Sequence, residues 1–489
     1  MAKIAMIGAG SLVFCKTLAM DILATEALRD SEICLMNPSR PKLDRMAAFL
    51  RRVVKENRLP ARITATQDRR EALAGADDVI LMFQIGGLDA FRIDYEIPLK
   101  YGVDQCIADS LGPGGVFRGL RSIPVLMDIT REMGELCPDA LLLNYVNPMG
   151  MNCYALGHAR GIQTIGLCHG VQTTLDLISG YVGVPKDEIE HLTAGINHMA
   201  WFLSLKDKRD GRDLYPLFKA NCEKPAYYVN EKVRIEVMRH FGYFMTESTG
   251  HLSEYIPWFR SSRRGLELYC DEPGFGGASG AYYQYCRMLA DKYRDVDYLE
   301  LESSRLAARS VEYCSYILES RKTGRPFRLQ GNVRNDGYIT NLPEGACVEV
   351  PVYVDRQGLH PLRVGALPPQ CAALNLSNVV VQSLGAQASF EGNPELAMQA
   401  IAMDPLTSSV CTLREIREMT AEMFEAERQW LPQFKGRKLR AVPLIKVPKG
   451  TKPAPVPLDP ALAIANRFGI LASQKVEKAK AAKRKTRRA

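Results

Sequence analysis

The chain has 489 residues, of which 46% are hydrophobic and 24% charged, a composition typical of a globular protein. No stretch approaches the roughly 18–20 consecutive apolar residues that a membrane helix needs, and the N-terminus resembles a strand rather than a signal peptide. The 13 cysteines are odd in number and scattered, which argues against a disulfide framework and predicts a cytoplasmic protein with free thiols.

The net charge of +8 is concentrated at the C-terminus. Residues 475–488 contain eight Lys or Arg and one Glu, so they carry +7 and leave about +1 for the rest of the chain. A nearly neutral body argues against nucleic-acid binding, and the basic segment predicts a solvated, disordered tail.

Strand-like and helix-like segments alternate through the first third of the chain. This alternation predicts a parallel, doubly wound sheet with helices on both faces, in which ligands bind at the carboxyl ends of the strands. The predicted strands are 3–10, 32–37, 62–67, 78–85, 140–147 and 164–170.

From about residue 186 the pattern becomes mixed, with short strands at 348–369 and helical periodicity at 370–403 and 413–430. We interpret this part as a second, α+β domain that closes over the sheet. Proline and lysine enrichment marks an extended arm and tail further on. The predicted divisions are 1–185, 186–446 and 447–489.

The first predicted strand runs into a glycine turn that opens a helix. Gly8, Gly10 and Ser11 allow a tight turn whose backbone N–H groups approach a pyrophosphate at the helix N-terminus, although Val13 replaces the usual third glycine. Asn37 stands where an acidic residue normally bonds the ribose. The pattern therefore predicts a dinucleotide site that favours NAD over NADP, with a plain strand–helix turn as the alternative.

Polar residues collect at the ends of later strands. Cys168 and His169 follow one strand and His198 comes about one element later, so a thiolate and an imidazole are available to a borderline transition metal. A buried cysteine and a satisfied histidine are the structural alternative. Asn147 ends another strand at the same edge, where it can bond a ligand hydroxyl or cap the next helix.

Two further segments are candidates for ligand contact. Residues 109–121 are rich in glycine and predict a ligand-covering loop that carries Arg118 and Arg121. Residues 246–260 combine acidic, basic, phenolic and aromatic side chains, as sites for polar ring-shaped ligands do. The candidate side chains of that segment are His251, Glu254, Tyr255 and Arg260.

Together these segments resemble glycoside hydrolase family four, specifically its unphosphorylated α-glycosidases, over residues 3–432. The resemblance implies a Rossmann-type NAD-binding domain at 1–185, in a fold like that of lactate and malate dehydrogenases. It implies a substrate, metal and oligomerisation domain at 186–446. The matching pieces, in order, are GAGSLVF, GPGGVFRGLR, NPMGM, LCHGVQ, GINHMAWF, TESTGHLSEYIPWFR, NVRNDGYITNLPEGACVEVPVYVD and MDPLTSSV.

The resemblance also implies roles for individual residues. Cys168 and His198 would bind Mn²⁺, Asn147 would contact substrate, His169 would be the proton donor and Tyr255 the proton acceptor. His251 and Glu254 are the alternative acceptors. The implied reaction is hydrolysis by NAD-mediated oxidation at C3, proton removal at C2, elimination at C1, water addition and re-reduction, an exception to the usual two-carboxylate scheme.

The segment that starts at Cys168 looks most like the α-glucuronidase variant of the family, and a side chain in place of Gly170 is expected to crowd the sugar. Arg118, Arg121 and Arg260 can supply the bidentate donors that a carboxylate prefers. An α-glucuronide or another uronide is therefore the expected substrate. α-Galactosides, α-glucosides and α-galacturonides are the alternatives.

Two rival functions fit the same turn and strand ends. One is an NAD-dependent dehydrogenase of 2-hydroxy acids or polyols, although no clear His–Asp proton relay is present. The other is a non-enzymatic, NAD-responsive binding protein, which the density of polar residues argues against. The resemblance implies a small-molecule substrate as partner and a homodimer or homotetramer.

Overall fold

The first third of the chain forms the parallel half of the sheet. The computed structural model describes residues 1–11, 14–159, 161–270, 272–293, 297–454 and 460–486, so Val13 lies outside the described residues. The strand order β3-β2-β1-β4-β5-β6 is that of a Rossmann fold, which confirms the predicted α/β class. These strands are β1 Lys3–Ile7, β2 Glu32–Met36, β3 Arg62–Thr66, β4 Asp78–Leu81, β5 Leu141–Asn144 and β6 Gln163–Gly166.

The later strands continue the same sheet. β9 pairs antiparallel with β6 through Gly166 and Asn332, and the order goes on as β10, β7 and β8, with β11 beside β10. One sheet thus runs through both predicted domains, and the chain divides by its internal contacts into the compact units Met1–Leu439 and Arg440–Ala489. These strands are β7 Ile189–Ile196, β8 Met199–Asp207, β9 Phe327–Arg334, β10 Cys347–Asp355 and β11 Gly358–Pro361.

Helices connect and cover the strands. Those of the first half are α1 Phe14–Ala24, α2 Arg40–Glu56, α3 Arg69–Leu73, α4 Gly87–Lys100, α5 Gly112–Leu136, α6 Met149–Leu156 and α7 Gly170–Val182. Those of the middle are α8 Tyr215–Cys222, α9 Pro225–Tyr228, α10 Lys232–Phe241, α11 Thr249–Tyr255, α12 Arg263–Tyr269, α13 Ala281–Lys292, α14 Tyr298–Leu301 and α15 Cys314–Thr323. The last are α16 Pro369–Glu391, α17 Pro394–Met403, α18 Pro405–Val410, α19 Leu413–Glu427 and α20 Pro460–Thr486.

The glycine-rich segment 109–121 is not the loop that the sequence predicts. From Gly112 onward it forms the first turns of α5, and these turns are buried. The glycines serve close packing, since a Cβ at Gly114 would lie 2.5 Å from the Asp94 carbonyl oxygen and one at Gly119 would lie 2.2 Å from Met151 Sδ. Neighbouring helices therefore approach the α5 backbone more closely than side chains would allow.

The C-terminal unit also differs from expectation. The predicted disordered tail contains α20, whose second half, from Lys475, consists largely of Ala, Lys and Glu, all strong helix formers. Residues 455–459 and 487–489 of the predicted arm and tail lie outside the described residues.

Within the described ranges, no helix is both long and apolar enough to cross a membrane. The cysteines are all free thiols, as predicted.

A buried ion-pair triad ties α5 to α4 and α19. The Arg121 guanidinium donates two hydrogen bonds to Asp94, at 2.9 and 2.6 Å, and a further one to Glu427. All three side chains are fully buried. Removing the cation would leave two carboxylates in a low-dielectric interior with no positive partner.

We predict that Arg121→Ala lowers the free energy of unfolding by about 3–5 kcal/mol, the usual effect of breaking a buried ion pair. Urea denaturation followed by circular dichroism measures the change. Arg414→Ala is the matched control, because its ion pair with Glu418 lies on the surface and is worth at most about 1 kcal/mol. Equal stability of the two variants would contradict a structural role for the triad.

Candidate active site

Three side chains from separate elements converge where the two halves of the sheet meet. Cys168 follows β6, His198 lies in the two-residue turn between β7 and β8, and Glu247 precedes α11. The Cys168 thiol donates to Glu247 Oε1 at 3.3 Å, and His198 Nε2 lies 3.8 Å from the same oxygen. One ligand atom from each residue lies within 4.8 Å of the other two. Sulfur, nitrogen and oxygen donors together suit a divalent first-row transition metal ion.

Two of these residues have a left-handed backbone. His198 has φ = 61° and Glu247 has φ = 77°, a region that costs a residue with a side chain about 1–3 kcal/mol. Such strain persists only where the surrounding structure imposes it. Its presence at two of the three converging side chains indicates that their direction is fixed by the fold.

The electrostatics of the cluster fit a metal ion. Burial raises the pKa of the Cys168 thiol well above its ordinary value, and Glu247 adds to the rise, so a nearby cation is needed to form the thiolate. Burial lowers the pKa of His198 to about 4, which leaves a neutral imidazole. Burial opposes ionisation of Glu247, but the neighbouring histidines outweigh it and lower the pKa of its carboxyl to about 2.

Tyr255 lies directly behind the cluster. Its hydroxyl is 2.8 Å from His198 Nδ1, and only 1% of the residue is exposed. His251 packs its ring against His198, with centroids 4.7 Å apart, and its Nδ1 pairs with the Ser248 hydroxyl. Glu254 points elsewhere, because its carboxylate accepts the backbone N–H groups of residues 107 and 108. Of the three candidate proton acceptors, Tyr255 and His251 flank the cluster.

Asn147 is linked to the site through Asp109, a residue that is not among the candidates predicted from the sequence. Its amide donates to Asp109 Oδ2 at 3.1 Å, and Asp109 Oδ1 accepts from the Ser110 hydroxyl at 2.8 Å. Ser110 also faces the phenol of Tyr255, whose pKa burial raises well above its ordinary value. Asp109 is the first residue of the predicted glycine-rich loop, and the structure shows that it is only 1% exposed.

The three candidate arginines have different surroundings. Arg260 is bonded through all its nitrogens to Asp104, Ser253 and the Gly277 carbonyl, so it has no nitrogen without a protein partner. Arg121 is engaged in the buried triad. Arg118 differs, because its Nε and Nη1 are buried without a hydrogen-bond partner among the described residues. The Nη1 atom lies 3.8 Å from the Asp109 carboxylate.

His169 lies at the outer side of the cluster. Its side chain is 46% exposed, and its Nδ1 is 3.2 Å from Glu312 Oε1. The hydrogen bond with Glu312 raises the pKa of His169 above its ordinary value, more than burial lowers it. The imidazole is therefore in contact with solvent, and its protonated form is favoured by Glu312.

The glycine turn fits a dinucleotide at the end of β1. Gly8 has φ = 95°, and a Cβ there would lie 2.7 Å from the Met82 carbonyl oxygen. A Cβ at Gly10 would lie 2.7 Å from the side-chain nitrogen of Asn37, so the glycine leaves space beside that amide. The Ser11 hydroxyl accepts the Phe14 N–H at the start of α1. The predicted residues therefore surround one helix N-terminus.

Family models match two parts of the chain. The family 4 glycosyl hydrolase model matches residues 3–184, and the model of its C-terminal domain matches residues 193–407. An α-galactosidase of Rhizobium meliloti (strain 1021) is 41% identical over 88% of this chain and 89% of its own length. An α-galactosidase of Bacillus subtilis (strain 168) is 40% identical over 89% of this chain and 100% of its own length.

A solved structure shares the fold. The 6-phospho-β-glucosidase of Thermotoga maritima, determined with manganese, NAD⁺ and glucose-6-phosphate, has a TM-score of 0.72 and 21% identity. The likeness covers 87% of this chain and 98% of that one. By its sequence over most of its length, the chain belongs to family 4 of the glycosyl hydrolases.

Proposed function

We propose that this glycosidase cleaves α-linked, unphosphorylated glycosides with the help of NAD⁺ and Mn²⁺, and that α-galactosides are its preferred substrates. The observation that carries the proposal is the convergence of Cys168, His198 and Glu247 next to Tyr255. Family membership sets aside the dehydrogenase and the binding-protein alternatives. The NAD⁺ and manganese in the Thermotoga maritima structure support the choice of cofactors.

The residues that would hold the dinucleotide are Gly8, Gly10, Ser11 and Asn37. The space beside Gly10 supports this assignment, because a backbone free of side chains can approach a pyrophosphate closely. Arg40, a cation that could favour a 2′-phosphate, has its Nε 2.8 Å from Asp44. That pairing supports NAD over NADP.

Cys168 and His198 would bind the metal ion. When bound, the dinucleotide and the metal supply reversible oxidation of the sugar and polarisation of its oxygens. His198 would use Nε2, the nitrogen that faces Glu247. Its Nδ1 then carries the proton and donates to the Tyr255 oxygen at 2.8 Å.

This tautomer makes Tyr255 a hydrogen-bond acceptor. Burial raises the pKa of the phenol well above its ordinary value, and the hydrogen bond with Ser110 opposes that rise. An N–H donated by His198 would also stabilise the phenolate. Tyr255 is therefore our candidate for the base that removes the C2 proton. His169 is the candidate acid for the leaving group, because it is exposed at the outer side of the cluster and Glu312 raises the pKa of its imidazole, which favours the proton-carrying form.

Asn147, Asp109 and Arg118 would bind the sugar hydroxyls. Arg118 has two buried nitrogens for which the described part of the chain offers no acceptor, and a buried donor of this kind is costly unless a ligand satisfies it. Asp109 lies 3.8 Å from Arg118 and offsets its charge. A neutral Arg118–Asp109 pair suits the hydroxyl groups of a sugar better than the carboxylate of a uronide, which would add a second negative charge.

The expectation of a uronide substrate depends on the segment that starts at Cys168 and on three arginines. Two of these arginines have all their nitrogens bonded to protein groups. Arg121 bonds Asp94 and Glu427, and Arg260 bonds Asp104. The two relatives that share 40–41% identity are both named α-galactosidases. Together these observations favour a neutral α-galactoside over the α-glucuronide, and Arg260 is left out of the proposed substrate contacts.

We predict that a chelator abolishes turnover and that Mn²⁺ restores it, because Cys168 and His198 are expected to hold the metal next to the sugar. Hydrolysis of an aryl α-glycoside with added NAD⁺ provides the measurement. A reductant should slow the loss of activity in air, since Cys168 is oxidisable and only partly buried. Full activity after removal of both metal and dinucleotide would refute the mechanism.

Tyr255→Phe should lower kcat by about 10²–10⁴-fold, the usual contribution of a general base, and should leave NAD⁺ and Mn²⁺ binding intact. Tyr353→Phe, an exposed position on β10, is the control and should keep the activity of the natural protein. Product formed in D₂O should carry deuterium at C2. If Tyr255→Phe retains its rate, the neighbouring His251 becomes the candidate base.

Among aryl α-glycosides, the α-galactoside should have the highest kcat/KM. The panel should contain the α-galactoside, α-glucoside, α-glucuronide and α-galacturonide, each assayed with NAD⁺, Mn²⁺ and reductant. Arg118→Gln should weaken turnover of the best substrate by removing the donors that lack a protein partner. Faster turnover of either uronide would overturn the substrate assignment and leave the metal-dependent mechanism standing.

A further inference from the structure

Glu247 lies where a third ligand of the metal would stand. Its Oε1 is 3.3 Å from Cys168 Sγ and 3.8 Å from His198 Nε2. Donors that share one ion at about 2.0–2.3 Å lie roughly 3–4 Å apart when the angle between them is near 90–110°. The two separations are of this size, and the ligand atoms of all three residues lie within 4.8 Å of one another.

The backbone holds Glu247 firmly in this place. On one side, Thr246 exchanges hydrogen bonds with Ala200, at 2.9 and 3.1 Å, two residues after His198 on the neighbouring strand. On the other side, Ser248 caps α11. Between these fixed points Glu247 adopts its left-handed conformation. The carboxylate is thus preorganised toward His198 rather than free to turn to solvent.

Gly170 gives an independent indication. A Cβ built on Gly170 would lie 2.1 Å from Glu247 Oε1, so the carboxylate occupies the volume that a side chain at 170 would need. Gly170 is the first residue of α7, directly after the segment that carries Cys168. A side chain at position 170 would therefore displace the Glu247 carboxylate from the cluster, whether or not it also contacted a sugar.

The other carboxylate oxygen has a different neighbour. Glu247 Oε2 lies 3.7 Å from His251 Nδ1. One oxygen thus faces the sulfur and nitrogen donors, and the other faces a histidine outside the cluster. This division suits a carboxylate that binds a metal through a single oxygen and is oriented by a neighbour through the second.

We propose that Glu247 is a third protein ligand of the divalent metal ion, binding through Oε1, and that Gly170 is needed to leave room for it. The inference rests on the metal-dependent function proposed above and adds a ligand to Cys168 and His198. One thiolate and one carboxylate balance the two charges of the ion, so the centre as a whole is neutral before substrate arrives. A neutral centre offers little extra attraction to an anionic sugar, in keeping with a neutral glycoside as substrate.

The test measures Mn²⁺ binding by the metal-free, full-length protein without NAD⁺ or sugar, from the electron paramagnetic resonance signal of free Mn²⁺. Glu247→Gln keeps the size of the side chain and removes its charge. We expect its Kd for Mn²⁺ to rise by at least roughly 10–100-fold, the loss that removal of even an outer-shell partner causes. With Co²⁺ as the probe, the ligand-field absorption should change while the thiolate-to-cobalt band remains.

A double-mutant cycle tests the role of Gly170. Gly170→Ala should weaken Mn²⁺ binding in the natural protein but add little in the Glu247→Gln background, because the alanine acts by displacing that carboxylate. Gly180→Ala is the matched control on the same helix, where a Cβ would meet nothing within 4 Å. Thermal unfolding of each variant verifies that it is folded.

The outcomes separate this inference from the proposed function. If Glu247→Gln binds Mn²⁺ like the natural protein while Cys168→Ser and His198→Ala have lost it, Glu247 is not a ligand and the metal-dependent function stands. If all three variants retain Mn²⁺, the metal site itself is misplaced and both proposals fall. Loss in all three variants, with coupling between Gly170 and Glu247, supports the third ligand.

Discussion

The whole site depends on one junction in the sheet, the pairing of Gly166 in β6 with Asn332 in β9. The contact is close, because a Cβ on Gly166 would lie 2.4 Å from Cys153 Sγ and 3.0 Å from the Cβ of Asn332. Through it the parallel strands that would carry the dinucleotide join the antiparallel strands that carry His198. Cys168 lies two residues after Gly166, so this strand pairing sets the distance between the proposed dinucleotide site and His198.

Burial of ionisable groups is the second constraint on this region. Glu254 and Glu349 are almost completely buried, and burial raises the pKa of each carboxyl to about 8. Glu254 is bonded to the backbone that leads to Asp109 and thereby holds that segment in place. Fixed charges and dipoles in a water-poor interior act more strongly on a reacting sugar than they would in water. The fold thus builds the polar environment of the site before any ligand is bound.

Local patterns in the sequence predict much of this arrangement, since short apolar runs and strand ends are properties of neighbouring residues. They locate the six parallel strands and the convergence of Cys168 with His198. They do not identify Glu247, which is 79 residues from Cys168 along the chain and is directed by its left-handed backbone. Likewise, the glycines of 112–121 predict a loop because their role, close packing of α5, depends on helices that are distant in sequence. The sequence does not predict the single continuous sheet either, because Gly166 and Asn332, which join its two halves, are distant in sequence.

The overlap between Gly170 and the Glu247 carboxylate has an evolutionary consequence. A side chain at 170 and a carboxylate at 247 compete for one volume, so a lineage that gains the first must shorten or redirect the second. The two positions are therefore expected to covary among relatives, even though they belong to different elements. Substitution of these two residues alone would change the number of protein ligands available to the metal. The sheet and its junction would stay intact.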